Sequence, residues 1–278
     1  MKLKRILTGY LLAGSFTWAF AVQTVATTFQ GVNVEYTGAS SSVAGNGDLI
    51  LQYKTVGANS LTISGGAIKA DILVVGGGGG GGGSYYSSNS SNRRYGTGGG
   101  GGTVLEKRGV HLAAQTLTIT VGNGGVAGSR ATNSSGTLAS QGGAGTFSSV
   151  SGDLFEEIRA CGGAGGSYDN KTSSAGGGKG QTSTIVSGTF GKGGGMSPNN
   201  GNDLPAAGGA GTGIGGQAGN GNSTNGNDTN KKRQAGAAGG SGIVVVRLTG
   251  VCETASVSLA DVTVGCLDAV SEFSVAAT

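Results

Sequence analysis

The residues able to do chemistry are few and scattered. His111 is the only histidine and sits between Val110 and Leu112, where a structural strand histidine is the expectation. Hydrolytic triads and zinc sites usually draw on histidine, and no acid–base–nucleophile set assembles around this one. Glu156 and Glu157 are adjacent; in a strand, neighbouring side chains point to opposite faces, so the pair does not converge on one substrate. Three cysteines are present. Cys161, between Ala160 and Gly162, reads as a small buried filler. Cys252 and Cys266 lie close together in a β-like segment and are the disulfide candidate, permitted in an oxidising compartment. The glycines 76–83 contain the dinucleotide-binding spacing after a strand, but any run of eight does, and no amphipathic helix follows. No catalytic residue, metal site or cofactor is therefore expected, and the chain does not read as an enzyme.

Binding chemistry is concentrated elsewhere. Residues 84–95, Ser-Tyr-Tyr-Ser-Ser-Asn-Ser-Ser-Asn-Arg-Arg-Tyr, combine tyrosine and arginine with small polar residues. Tyr and Arg are enriched at binding hot spots, while Ser and Asn supply adaptable hydrogen bonds. Tyr85, Tyr86, Arg93, Arg94 and Tyr95 are thus the candidate ligand-binding residues; the plainer alternative is a solvated loop whose tyrosines cap the domain. Residues 196–205 and 217–234 are polar and read as surface. Within the latter, Lys231-Lys232-Arg233 is a solvated charge cluster, and no Arg-Gly-Gly triplet points to nucleic acid. Asn89, Asn133, Asn170, Asn222 and Asn227 occupy glycosylation sequons.

The N-terminus has a basic head (Lys2, Lys4, Arg5), an apolar stretch over residues 6–20 and the small-residue exit Ala19-Phe20-Ala21. These are the parts of a secretory signal peptide, with cleavage expected after Ala21. The apolar stretch is shorter than the ~20 residues of a membrane span, so no transmembrane span is expected in the processed chain. Lys2, Lys4 and Arg5 supply three of the four net positive charges, leaving the processed chain close to neutral. Trp18, the only tryptophan, lies in this segment, which removes a Trp-stacking sugar platform from the processed chain.

Glycine dominates the rest: 62 of 278 residues, mostly between Gly76 and Gly242, with an unbroken run at 76–83 and another at 98–102. Collagen needs glycine at every third position with abundant proline, and only two prolines occur. A flexible linker is the reading that composition alone favours. The other is a bundle of polyproline-II-type helices made of glycine, whose outward N–H and C=O groups pair between neighbours. Strand signals bracket the glycines: residues 49–53, 61–63, 72–75, 116–121 and 243–248 are short, β-branched and partly alternating. A disordered tract has no need of bracketing strands, so the ordered bundle is the favoured reading.

Residues 70–83 (Ala-Asp-Ile-Leu-Val-Val, then eight glycines) and 239–248 (Gly-Gly-Ser-Gly-Ile-Val-Val-Val-Arg-Leu) resemble the two ends of the glycine-rich domain of bacterial surface proteins and phage tail-fibre tip adhesins; residues 117–125 are similar to its strand-then-Gly-Gly element. The resemblance implies a mainly β fold with polyglycine II layers: a packed glycine bundle capped by short strands, with little or no helix beyond the signal peptide. It also implies loops that meet a receptor. The domain expectation is a signal peptide at 1–21, a lead-in β segment at 22–45, the glycine-rich domain at 46–249, and at 250–278 either the truncated start of an Ig-like module or a terminal β-hairpin. The functional expectation is a secreted or cell-surface adhesin that presents its polar and Tyr/Arg loops to an extracellular glycan or protein. The alternative is a non-binding structural spacer or matrix component. Oligomer formation stays open.

Overall fold

The structure is a computed structural model, and it describes residues 4–6, 23–84, 96–131, 139–168, 179–195, 206–218, 234–251, 257–258 and 261–262. Among these residues there is no helix. Two antiparallel sheets face each other. One has seven strands in the order β1 (Lys4–Ile6), β2 (Thr24–Phe29), β3 (Val32–Thr37), β6 (Gly57–Ser64), β9 (Gln115–Val121), β10 (Ser148–Gly152) and β11 (Phe155–Ala160). The other has five: β4 (Ala39–Val43), β5 (Leu49–Tyr53), β14 (Ile243–Val251), β7 (Ile68–Val75) and β8 (Val104–Leu112). Two-residue pairs, β12 (Gln181–Thr182) with β13 (Thr189–Phe190) and β15 (Val257–Ser258) with β16 (Asp261–Val262), complete the list. The strands expected from sequence at 49–53, 61–63, 72–75, 116–121 and 243–248 all lie within these elements.

Period-two alternation aims one face of each sheet at a shared core. Val32, Val34 and Tyr36 point in from β3, Leu49, Leu51 and Tyr53 from β5, and Leu117, Ile119 and Val121 from β9, all in one cluster. Where β7 and β14 adjoin the glycine segments, at residues 72–75 and 243–246, they instead read as continuous apolar runs because both of their faces are covered. Ile72, Val74, Val244 and Val246 join the inter-sheet core; Leu73, Val75, Ile243 and Val245 form a second cluster under Ile185 and Phe190. The β2–β3 hairpin turns through Gln30 and Gly31, both at positive φ (48° and 89°), as a two-residue connection between right-twisted strands requires. A bulge in β8 shifts the register between Ala70 and Ile72 of its partner. Gly109 takes φ +62° there, and its N–H donates to Asp71 Oδ1 at 2.9 Å.

Burial, and secondarily the neighbouring Tyr36, raise the Tyr53 phenol above its ordinary value of 10.0. Its hydroxyl donates to the Ser60 carbonyl at 3.4 Å. Above about pH 10 the unfolded chain loses this proton while the folded chain keeps it, so the native state binds more protons and stability falls as pH rises. Below that pH the contribution is fully present. Urea unfolding between about pH 8 and pH 11 should show this alkaline decline, and Tyr53→Phe should flatten it. An equal slope in the variant would refute the assignment.

Candidate functional site

Nearly every strand that points toward the glycines runs directly into one. PG1 (residues 76–84) continues β7, PG3 (122–131) continues β9 and PG5 (161–167) continues β11, while PG2 (96–103), PG4 (139–147) and PG9 (234–242) lead back into β8, β10 and β14. PG6 (191–195), PG7 (206–209) and PG8 (213–218) complete the described glycine segments. The sheets hold one end of each strand-linked segment, which offsets the large entropy glycine loses on ordering.

PG1 is the axis. With three residues per turn, its successive N–H groups point in three directions. Gly79 donates to Gly100 of PG2, Gly80 to Gly143 of PG4 and Gly81 to Ala237 of PG9, each at 2.8 Å, and the pattern repeats every third residue. Its carbonyls accept from three other segments at 2.8 Å: Gly80 from Gly166 of PG5, Gly78 from Gly125 of PG3, and Gly79 from Gly216 of PG8. The segments PG1 donates to run antiparallel to it, and those it accepts from run parallel. The neighbours also pair with one another around the ring: PG2 with PG5 and PG8, PG4 with PG5 and PG3, PG9 with PG3 and PG8. PG6 and PG7 lie outside that ring, through Gly194 N–H to Gly99 O and Gly208 N–H to Ala238 O.

Enclosure decides the glycine content. Around PG1 every side is taken: a Cβ on any of glycines 76–83 would lie 1.9–2.2 Å from a neighbouring carbonyl oxygen. PG3 is covered on one side only. Gly122, Gly125, Gly128 and Ala131 face inward, whereas Asn123, Val126, Ser129 and Arg130 are exposed. The same period corrects the reading of Cys161. It shares the outward face of PG5 with Ala164 and Ser167 and is exposed, not buried.

Away from the sheets the segment ends converge on one pole, where side chains clasp neighbouring segments. Ser84 Oγ, fully buried, donates to Gln234 O at 3.2 Å and accepts from Gln234 N–H at 3.0 Å. Ser129 and Ser140 join PG3 to PG4, their hydroxyls 3.0 Å apart. Thr97 Oγ1 accepts from Ser167 N–H at 2.7 Å, and Gln217 Oε1 from Ala206 N–H at 2.9 Å. The described residues that flank 85–95, 132–138, 196–205 and 219–233 in the chain lie at this pole, as does the described end that precedes 169–178. The candidate binding residues Tyr85, Tyr86, Arg93, Arg94 and Tyr95 fall in the first of these stretches and lie outside the described residues, as do Ala21, Cys252 and Cys266. The sequence reading did not single out 132–138 or 169–178 for binding. The strand–glycine…glycine–strand order on either side of 132–138 was the available sign that PG3 and PG4 run in opposite directions.

Other polar groups of the described residues lie on the sheets. Arg108 meets Asp71 at 3.6 Å and Glu106 at 3.8 Å and hydrogen-bonds Thr184, which pins the segment covering the outer face of β7 and β14. Glu156 and Glu157 are exposed on β11, and Arg159 lies 3.7 Å over the Phe147 ring. His111 is exposed on β8. Among the described residues no group of three or more His, Cys, Asp or Glu is placed to hold a metal ion.

No curated protein matches the chain. A family described as the glycine-rich domain matches residues 54–242, from just after β5 to the last glycine before β14. That match covers well over half the chain, and the protein therefore belongs to the glycine-rich domain family.

Proposed function

We propose that the protein is exported and serves as a secreted or cell-surface adhesin, presenting the segments at the pole of its glycine bundle to an extracellular glycan or protein. The observation that supports this reading is the convergence of the segment ends on one pole, where backbone and, at several of them, side-chain hydrogen bonds join neighbours. A scaffold held this way orders the anchor points of its loops before a ligand arrives, which lowers the entropic cost of binding. The Tyr/Arg composition of residues 84–95, the stretch that follows PG1 in the chain, is hot-spot chemistry.

The test is a binding screen of the exported protein on arrayed glycans and extracellular proteins. It is repeated after combined replacement of Tyr85, Tyr86, Arg93, Arg94 and Tyr95 by serine. The expected result is retention by a defined glycan or protein class that the replacements abolish, with stability changed by less than about 0.5 kcal/mol per site, as for ordinary surface positions. Retention that survives all five replacements would remove these residues from the site. No retention on any array would leave the non-binding spacer as the function.

A further inference from the structure

We infer that the processed protein pairs with a second copy of itself through the outer edge of β2. The inference rests on the export reading. Lys4, Arg5 and Ile6 of β1 pair antiparallel with Ala26, Val25 and Thr24, and residues 4–6 belong to the segment expected to be removed after Ala21. Their removal leaves β2 as the last strand of its sheet. The backbone groups that β1 satisfied are then open, and an open edge is a template for another strand.

The β8 and β11 edges carry features that discourage pairing, and β4 differs from β2 in its serine-rich, exposed sequence; β2 carries no such guard. On β8 there is the Gly109 bulge, the charged run Glu106-Lys107-Arg108, and Thr184 bonded across it. On β11 there are Glu156, Glu157 and Arg159, and its register with β10 breaks between Val150 and Gly152. Short, serine-rich and largely exposed, β4 offers little apolar surface to cover. By contrast Thr24-Val25-Ala26-Thr27-Thr28-Phe29 has no charge, proline or glycine, and pairs with β3 without a break over its whole length. Charge, bulges and proline are the usual guards of an edge, while Val, Thr and Phe favour strands.

A second copy fits because the strand is self-complementary. Antiparallel pairing about a two-fold axis sets uncharged residues opposite uncharged residues. It also carries the inner face formed by Val25, Thr27 and Phe29, the first partly buried and the other two buried, into the same face of the copy. A two-fold contact of one patch with itself is the commonest closed assembly. The antiparallel seating of residues 4–6 is the approach direction this pairing needs. A nearly neutral processed chain also adds little net repulsion between copies.

The experiment takes the exported protein, reads its N-terminus by intact mass, and measures its molar mass by light scattering at micromolar concentration. The expected result is a chain starting near Val22 with the mass of a dimer. Ala26→Lys and Thr28→Lys should each weaken the dimer by about tenfold or more, because the two-fold axis brings the new charges together. Ser41→Lys on the β4 edge should leave it intact. Unprocessed chain, with its edge covered, should be monomeric. A monomeric processed chain, or a dimer lost with Ser41→Lys and kept with Ala26→Lys, overturns the β2 pairing and leaves export standing. Exported protein isolated with Met1 intact overturns the export reading and the pairing with it.

Discussion

Alanine at Gly79 or Gly80 is expected to destabilise the protein by about 3 kcal/mol or more, at or above the upper end of ordinary overpacking. A Cβ at either position would fall 1.9 Å from a carbonyl oxygen, that of Ala164 for Gly79 and that of Val126 for Gly80. These are backbone atoms of segments hydrogen-bonded on both sides, so relief requires a whole segment to move. The opposing term is the lower entropy of the unfolded chain, about 0.4–1 kcal/mol in favour of alanine. Steric cost therefore wins, and valine should be worse than alanine. Gly45 supplies the control: nothing lies within 4 Å of its Cβ position and its φ is not in the left-handed region. Gly45→Ala should be neutral or stabilising by up to about 1 kcal/mol. Thermal and urea unfolding measure all three. If Gly79→Ala and Gly80→Ala both melt at or above the wild-type temperature, PG1 is not close-packed and the rigid scaffold is lost as an idea. Amide exchange gives a second check, since the PG1 N–H groups, all hydrogen-bonded at 2.8–3.0 Å, should exchange far more slowly than in a free peptide.

Ser148→Ala carries the second-largest expected effect. This side chain, fully buried, sits where three strands become glycine segments. Its hydroxyl donates to Val75 O at 2.7 Å and accepts from Gly122 N–H at 2.9 Å, linking the exit of β7 to the exit of β9. Alanine would leave a buried donor and a buried acceptor without that partner, at about 1–3 kcal/mol for each unsatisfied group. The expected loss is about 2–4 kcal/mol, with faster exchange at the Gly122 amide as the local readout. A loss below about 0.5 kcal/mol would place Ser148 among ordinary sites and show that the sheets and bundle are joined by their backbones alone.

How legible each element was follows from what covers it. Residues 116–121 alternate because one face meets the core and the other is more open, while residues 72–75 and 243–246 are continuously apolar because both faces are covered. These strands could be read directly. The strand β8 could not: Glu106-Lys107-Arg108-Gly109 is a charged, bulged edge with no alternation. Nor could β10, whose Ser148 and Ser149 are buried polar residues. For Ser148 the justification is a pair of backbone partners 73 and 26 residues away in sequence. Cys161 was misread because small residues beside glycine look buried until the three-residue period assigns each one a face.

The sequence by itself showed that residues 76–83 leave room for a neighbouring backbone to approach, since an unbroken glycine run carries no Cβ. It also determined which strand leads into that run, residues 72–75. The tertiary structure alone decided which segments surround the axis, in what order and direction, and that their far ends meet at one pole. The reason is physical. Within the glycine runs, neighbours offer each other identical N–H and C=O groups, which do not distinguish one partner from another. Selection comes from the two sheets, whose strand order places the segments that continue them side by side.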